Sequence, residues 1–583
     1  LEKAEKVSIV MDLDKGYPDA PPEMHQLFYI AGRTYHELYQ FARRNNVKIA
    51  IDKIVTATDD GYHTNMVELD RYWVATTSGA RNNRFEVPTG SQMEKTIEVW
   101  SCDNMQTEIF HIGNKINQLV KNEGYRYKDF IILARRVEDY ETILKPLFNR
   151  AELPVFYDKA EEMRHHPFTD FIDTLFRIRM NYWRYSDIMR LLRTELILPQ
   201  NTEESVTVFR DTVDKTENIL LAYGFEGNAW FGKDDWKAHV FEEDEGRVTV
   251  DTVDPFKEAN EIKYFLQGAL LPLYKKVATV KTGREAATLL YSFLVEQGVD
   301  KQLIRWRDEA IESDNLEKAR QQEQLWQMFN TILDEYVETL GDLPFNEEMF
   351  HDILMTGFEN ATYSIVPPTL DEVIFSSIEG ARFQPNKIVF IIGATQDNLP
   401  RAYENKSLLT EEERELIQVN LGDQVNKHLN LSISESTSRE PYIAYQAFLA
   451  GTDRLYVTYP LSIDGNKRIS KLSPYVARIA SEMAVPIQHR AANVTEAHHP
   501  INFVGTKGQN IGQLVQLLRE QFGSKTKMPL LWRYILSYLY KDPSVTAHMT
   551  YVFSSLKHKN IPAQLKPEIA EAFEQDGLKL DAF

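Results

Sequence analysis

Apolar positions along this chain change period twice. Glu94 to Trp100 (EKTIEVW) alternates like a strand, Tyr127 to Leu133 is a strand that runs into Ala134-Arg135-Arg136, and Leu153 to Phe156 is a third short strand. Between them Ile109, Ile112, Ile116, Leu119 and Val120 share one face of a helix over Gln106 to Asn122, and Tyr140 to Arg150 is also helical. This βαβαβ rhythm predicts part of a parallel α/β layer. A helical period then takes over in Asn260 to Val277, Arg284 to Glu296, Asp300 to Leu340 and Asn346 to Asn360, with a strand signal only at Arg247 to Val250. Residues 195–365 therefore read as an all-α insertion. From 366 the α/β pattern returns. Val373 to Phe375 is a short strand, and Lys387 to Ile392 (KIVFII) is apolar enough for a strand buried on both faces. Helix Arg439 to Ala450, strand Asp453 to Pro460 and helix Pro474 to Met483 follow. The expected fold class is α/β with a large all-α insertion.

The flanks are less regular. Residues 1–50 read as a strand (Lys6 to Asp12), a turn-rich loop and a helix (Thr34 to Asn45), with Asp12 and Asp14 as solvated loop carboxylates. Residues 51–95 show weak periodicity and much turn chemistry and read as a linker. Residues 484–583 hold amphipathic helices at Ile511 to Phe522 and Leu530 to Leu539. Thr410 with Glu413 is a capping box that opens a helix. His165 and His166 stand side by side, so their side chains point apart; no third ligand lies at a metal-site spacing, and Pro167 suits the first turn of a helix.

At 583 residues, 43% apolar, the chain has room for about three to four domains. No run of about 18 apolar residues is present, and the charged opening is no signal peptide. A single cysteine, Cys102, excludes an internal disulfide and fits the cytoplasm. Because the first residue is Leu1 and a strand-like run begins at once, the expectation is an internal piece of a longer protein. The net charge of −20 argues against a nonspecific polycation but permits a local basic channel. The best short candidate for such a channel is 164–193, with six arginines against three aspartates and Tyr182, Trp183 and Tyr185 interleaved. Arg177, Arg179 and Arg184 are its proposed contacts, against the plainer reading of a solvated face over core aromatics.

The stretch "VIFSSIEGARF…KIVFIIGATQDNLP…LLTEEER" resembles motif V of superfamily-one DNA helicases. Its closest likeness is AddB, or RexB, the B subunit of bacterial ATP-dependent helicase/nucleases. "ARRVEDYETILKPLF" resembles motif IV, and "SREPYIAYQAFLAGTDRLYVTY" resembles motif VI. The resemblance implies RecA-like helicase domains: the end of a first domain in 1–50, a linker in 51–95, a second domain in 96–194 and 366–483, a 2B-like insertion in 195–365, and a helical linker in 484–583 toward a nuclease domain. It also implies a chain without the phosphate-loop region, ATP and Mg²⁺ in the full complex only, single- and double-stranded DNA as partners, and a heterodimer with an AddA/RexA-like motor-nuclease subunit. No membrane association is expected.

An active motor needs a G-x-x-x-x-G-K-[ST] loop, which this chain lacks. Ungapped alignment puts Ser377, Glu379, Arg382, Phe383 and Pro385 at the Thr, His, Lys, Gly and Glu positions of an active motif V. Pro441 and Tyr442 take the two Arg positions of motif VI, and Ala450 the Arg that stabilises the transferring phosphoryl group. Loss of such an arginine costs about 10³–10⁵ in rate. Arg439 and Arg454 flank the region, so a one-residue shift rescues one position but not all. Arg135 and Arg136 end a strand where a guanidinium either meets phosphate or pairs with Glu138 or Asp139. Glu379 and Arg382 complete the weak nucleotide or DNA set, with no catalytic residue and no metal ligand. The expected function is a helicase-like, ATPase-inactive, DNA-binding B subunit of a helicase/exonuclease that processes double-strand breaks for recombination and repair. The alternatives are an active helicase with its phosphate loop upstream, and a non-enzymatic interaction scaffold.

Overall fold

The computed structural model describes residues 6–50, 52–53, 55, 61–77, 93–158, 161–199, 206–237, 256–363, 371–381, 386–405, 409–421, 429, 431–462, 469–495, 499–524 and 527–557. The chain divides into two compact units, one of residues 1–159 with 367–583 and one of residues 160–366.

The first unit is built on seven strands: β1 (Ile97–Asn104), β2 (Phe130–Ala134), β3 (Val155–Asp158), β4 (Val373–Ser377), β5 (Asn386–Ile392), β6 (Gly451–Ser462) and β7 (Ile487–Arg490). They form one sheet in the order β3-β4-β2-β5-β6-β1-β7, and every pairing is parallel. Side chains alternate between two cores. Ile131, Leu133, Val389, Ile391, Leu455 and Val457 face one, covered by helices Thr64–Thr77, Ile433–Phe448 and Pro474–Glu482. Phe130, Ile132, Ile388, Phe390, Ile392 and Tyr456 face the other, covered by helices Met105–Glu123 and Glu138–Arg150. This two-sided burial explains the continuous apolar runs of β2 and β5. Helices Lys507–Ser524, Leu530–Tyr540 and Thr546–Lys557 gather a smaller core with Phe110 and Phe503.

Three expectations change here. Residues 6–12 form no strand: Val7, Ile9 and Val10 are exposed, and a β-branched run without a neighbouring strand has nothing to pair with. Within 51–95, helix Thr64–Thr77 buries Met66, Leu69, Tyr72 and Trp73. Its periodicity is blurred because Asn65 is also buried, donating to Thr96 Oγ1 at 2.8 Å. Edge strand β7 is too short and polar to announce itself. The Thr410 capping box forms in both directions, at 2.8 and 3.3 Å, and helix Glu411–Leu421 follows.

The second unit is helical and begins at residue 160, ahead of the boundary expected at 195. It comprises helices Pro167–Met180, Tyr185–Arg193, Val206–Tyr223, Lys257–Val277, Gly283–Glu296, Val299–Glu312, Leu316–Leu340 and Glu347–Asn360 around one core. The long helix expected over Asp300 to Leu340 breaks at Asp314, whose φ is +58°, and restarts on an Asn315 cap. The strand expected at Arg247 to Val250 lies outside the described residues. The fold is thus α/β with a large helical insertion. No described helix is long and apolar enough to cross a membrane.

One buried polar clamp joins layers of the first unit. Glu108, fully buried in the first turn of helix Met105–Glu123, accepts from the Gly393 amide (3.0 Å), the Thr458 hydroxyl (2.5 Å) and the Tyr140 hydroxyl (2.6 Å). Gly393 has a φ of +64°, and a Cβ there meets the Tyr140 hydroxyl at 2.7 Å, so glycine is required by both conformation and space. Burial raises the Glu108 carboxyl above its ordinary pKa, and the three donors offset this only in part. Because the folded state holds this proton more tightly, the group favours folding at low pH, and that contribution fades as pH rises through the raised value. Glu108→Gln keeps the shape and the acceptor. In denaturant titrations over a pH series, the stability of wild type minus that of the variant is expected to fall as pH rises; a flat difference refutes the assignment.

Candidate functional site

Seven parallel strands place all their carboxyl ends along one edge of the sheet, where open α/β sheets receive ligands. At that edge Arg135 follows β2, Glu379 lies in the turn after β4, Tyr403 follows β5, and Glu440 projects from helix Ile433–Phe448. The Arg135 guanidinium forms ion pairs with both Glu379 and Glu440 and donates to the Tyr403 hydroxyl oxygen at 3.0 Å. Glu440 also accepts from the Tyr403 hydroxyl (2.6 Å) and the Arg401 amide (2.9 Å). The side chains of Glu440 and Arg135 are 0% and 2% exposed, whereas Glu379 is 47% exposed. Burial works against the Arg135 charge, but Glu440 and Glu379 outweigh it and hold the guanidinium above its usual pKa. Burial, reinforced by Glu440, pushes the Tyr403 hydroxyl up to about 12.

Magnitudes decide what this cluster can do. A charge-assisted hydrogen bond from Arg135 to a phosphate is worth about 1.5–3 kcal/mol. Leaving Glu440 buried without its cation costs about 3–5 kcal/mol. Arg135 therefore stays where it is, and one cation among two carboxylates presents a phosphate with net negative charge.

The sequence grouped Arg135 with Glu379, and the structure brings them together. Arg136 points elsewhere: it is exposed and pairs with Asp139 at 3.1 Å, the local pairing that was one of its two options. Arg382 and Pro385 lie outside the described residues. Ser377 Oγ accepts from the Gly380 amide at 2.9 Å and shapes the turn that carries Glu379. Glu440 and Tyr403 escaped sequence reasoning. The available signal was a glutamate three and four residues before the buried Ile443 and Ala444, on the core face of a helix.

The helix carrying Glu440 is also the seat of the N-terminal segment. Tyr442 donates to Asp12 (3.2 Å), Tyr445 to Asp70 (2.9 Å), and Trp73 Nε1 to the Pro441 carbonyl (3.1 Å). Asp12 and Asp14 are not merely solvated, since Asp14 accepts from Tyr17 at 2.7 Å. Ala450 is packed in the core. Arg439 is exposed, and Arg454 pairs with Glu123 at 2.5 Å near the amino end of β6, away from the carboxyl edge.

In the helical unit the basic stretch is largely neutralised. Arg177 Nε donates to Asp173 (2.8 Å), which also takes Arg190 (2.7 Å) and lies 2.9 Å from His351 Nε2. Arg179 pairs with Glu347, and Arg193 with Glu217 at 2.5 Å. Arg184 is exposed at the N-cap of Tyr185–Arg193 and forms no ion pair among the described residues. Trp183 is buried against Trp230 and Tyr274, the Tyr185 hydroxyl donates to Glu217, and only the Tyr182 ring is well exposed. His166 caps Pro167–Met180 by accepting from the Phe168 amide at 3.1 Å, and Pro167 takes the first helical position. Burial opposes ionisation of Asp173, but His351, Arg177 and Arg190 prevail and hold its pKa well below the usual carboxylate range.

No family model matches the chain. Over 98% of its length the chain is 34% identical to the B subunit of the ATP-dependent helicase/deoxyribonuclease of Latilactobacillus sakei and 34% to that of Enterococcus faecalis. It is 33% identical to that of Levilactobacillus brevis over the same share. The match takes in 48%, 48% and 47% of those proteins, so the chain spans about half the length of the curated relatives it matches. The resemblance carried by the motif-like stretches thus extends along nearly the whole chain.

Arg135→Ala is expected to lower unfolding free energy by about 3–5 kcal/mol in chemical denaturation, and adding Glu440→Gln is expected to return part of it. Asp173→Asn removes an anion shared by two half-exposed arginines. We expect a smaller loss of about 1–3 kcal/mol at neutral pH, shrinking as pH falls through the depressed Asp173 pKa.

Proposed function

We propose that this chain, homologous over 98% of its length to helicase/deoxyribonuclease B subunits, is the helicase-like part of such a protein and holds single-stranded DNA without hydrolysing ATP. The observation that carries the ATPase-inactive reading is Arg135, enclosed by Glu379 and Glu440 at the strand edge where a motor meets its nucleotide. Tyr442 engages Asp12 and Ala450 lies in the core, so two aligned positions of motif VI offer no cation. On this reading a motor-bearing A subunit of the same complex supplies ATP hydrolysis with Mg²⁺. The B subunit guides a strand during the processing of double-strand breaks for recombination and repair, in the cytoplasm. Arg184, Arg136, Arg177 and Glu379 are the exposed members of the proposed DNA-facing set, with Arg177 held by Asp173 and Glu379 by Arg135.

Support also comes from the charge pattern. A body of net charge −20 binds DNA only through local basic surface, so affinity is expected to fall steeply with salt. The test is oligonucleotide binding across a salt series with phosphate release measured in the same samples. Salt-sensitive binding without DNA-stimulated hydrolysis is expected. Hydrolysis by the chain alone that rises with DNA overturns the inactive reading, and absent binding overturns the DNA-holding role.

A further inference from the structure

Resting on the DNA-holding reading above, we infer that helix Leu530–Tyr540 is an aromatic platform on which single-stranded DNA stacks. Trp532 and Leu539 are buried and fix this helix to its neighbours, with Trp532 Nε1 donating to the Pro500 carbonyl at 3.3 Å. The opposite face is unusual for an acidic protein. Tyr534, Tyr538 and Tyr540 are 68%, 66% and 63% exposed. At 3.6 residues per turn Tyr534 and Tyr538 share the outer face with Leu530, Arg533, Ser537 and Lys541, which are also exposed, while Tyr540 points to the flank, its ring 6.3 Å from that of Phe553.

Charge identifies the occupant. Residues 527–557 carry Lys527, Arg533, Lys541 and Lys557 against Asp542 alone, a net of +3 within a chain of −20. Asp542 is itself engaged by Lys507 at 2.6 Å, while Arg533 and Lys541 form no ion pair among the described residues. Tyr534 and Tyr538 stand about 6 Å apart along the helix axis, room for a base against each ring. Exposed rings interleaved with uncompensated cations are what sequence-tolerant strand binding uses: stacking for the bases, cations for the phosphates. Tyrosine and arginine also occur in protein interfaces; the exposed Lys541 and the single aliphatic residue, Leu530, favour a phosphate backbone over a desolvated interface core.

The test uses the full chain, a fluorescein-labelled 30-nucleotide oligothymidine and the pairs Tyr534→Ala with Tyr538→Ala and Tyr534→Phe with Tyr538→Phe, with helicity checked by circular dichroism. The alanine pair is expected to weaken binding about tenfold or more, and the phenylalanine pair, which keeps the rings, to bind as wild type does. Photo-crosslinking of an iododeoxyuridine-substituted oligonucleotide to the wild type is expected to label 530–540, and this readout decides if the alanine pair fails to fold. Wild-type affinity in a folded alanine pair, or crosslinks only elsewhere, overturns the platform while leaving the DNA-holding role standing. No binding by the wild type overturns both. Loss of association with a protein partner alone, at unchanged DNA affinity, assigns the face to that partner and overturns the proposal.

Discussion

A sheet whose strands all run one way must be covered on both faces, and this leaves only the strand ends for polar chemistry. The first unit obeys that constraint throughout. Its central strands are apolar on both sides, its helices form two layers, and its buried charges collect where strands end. Glu108 and Glu440 are both fully buried and both anchor a helix to the carboxyl edge, but they are satisfied differently. Glu108 meets three neutral donors and no cation, so burial raises its pKa. Glu440 meets Arg135 in a buried ion pair.

That contrast bears on function. An arginine at the end of a parallel strand is a phosphate ligand only if it is free to turn outward. Here the cost of stranding Glu440 exceeds the gain of a phosphate contact, so the residue that looks most like part of a nucleotide site is the one most firmly held within the fold. The same helix carries tyrosines toward Asp12 and Asp70, and the N-terminal segment rests on it through hydrogen bonds from tyrosine hydroxyls to carboxylates. That helix face serves as a packing seam for the N-terminal segment.

The helical unit shows the same principle on its surface. Six arginines in thirty residues suggest a basic patch, but acids from other helices, Glu217 and Glu347, meet two of them, and Asp173 gathers two more. Charge counted along a chain and charge presented in space differ whenever partners come from distant segments. The C-terminal helices run the other way: few charges in sequence, but two cations and two rings on one outer face.

The sequence by itself determined the local elements and the fold class. KIVFII is apolar enough for a strand covered on both faces, Thr410 with Glu413 can cap a helix from either side, and the apolar stripe of residues 109–120 specifies which side of a helix is inside. These are short-range properties, set by side-chain spacing and backbone chemistry. The motif-like stretches also carried the kinship to helicase/deoxyribonuclease B subunits. Tertiary structure decided what spacing does not encode. It placed Glu440 beside Arg135 across 305 residues of chain, drew residues 160–194 into the helical unit, left residues 6–12 without a strand partner, and turned Tyr534 and Tyr538 outward. Each outcome depends on which distant surface arrives first to satisfy a buried charge or cover an apolar face, and that is a property of the assembled chain.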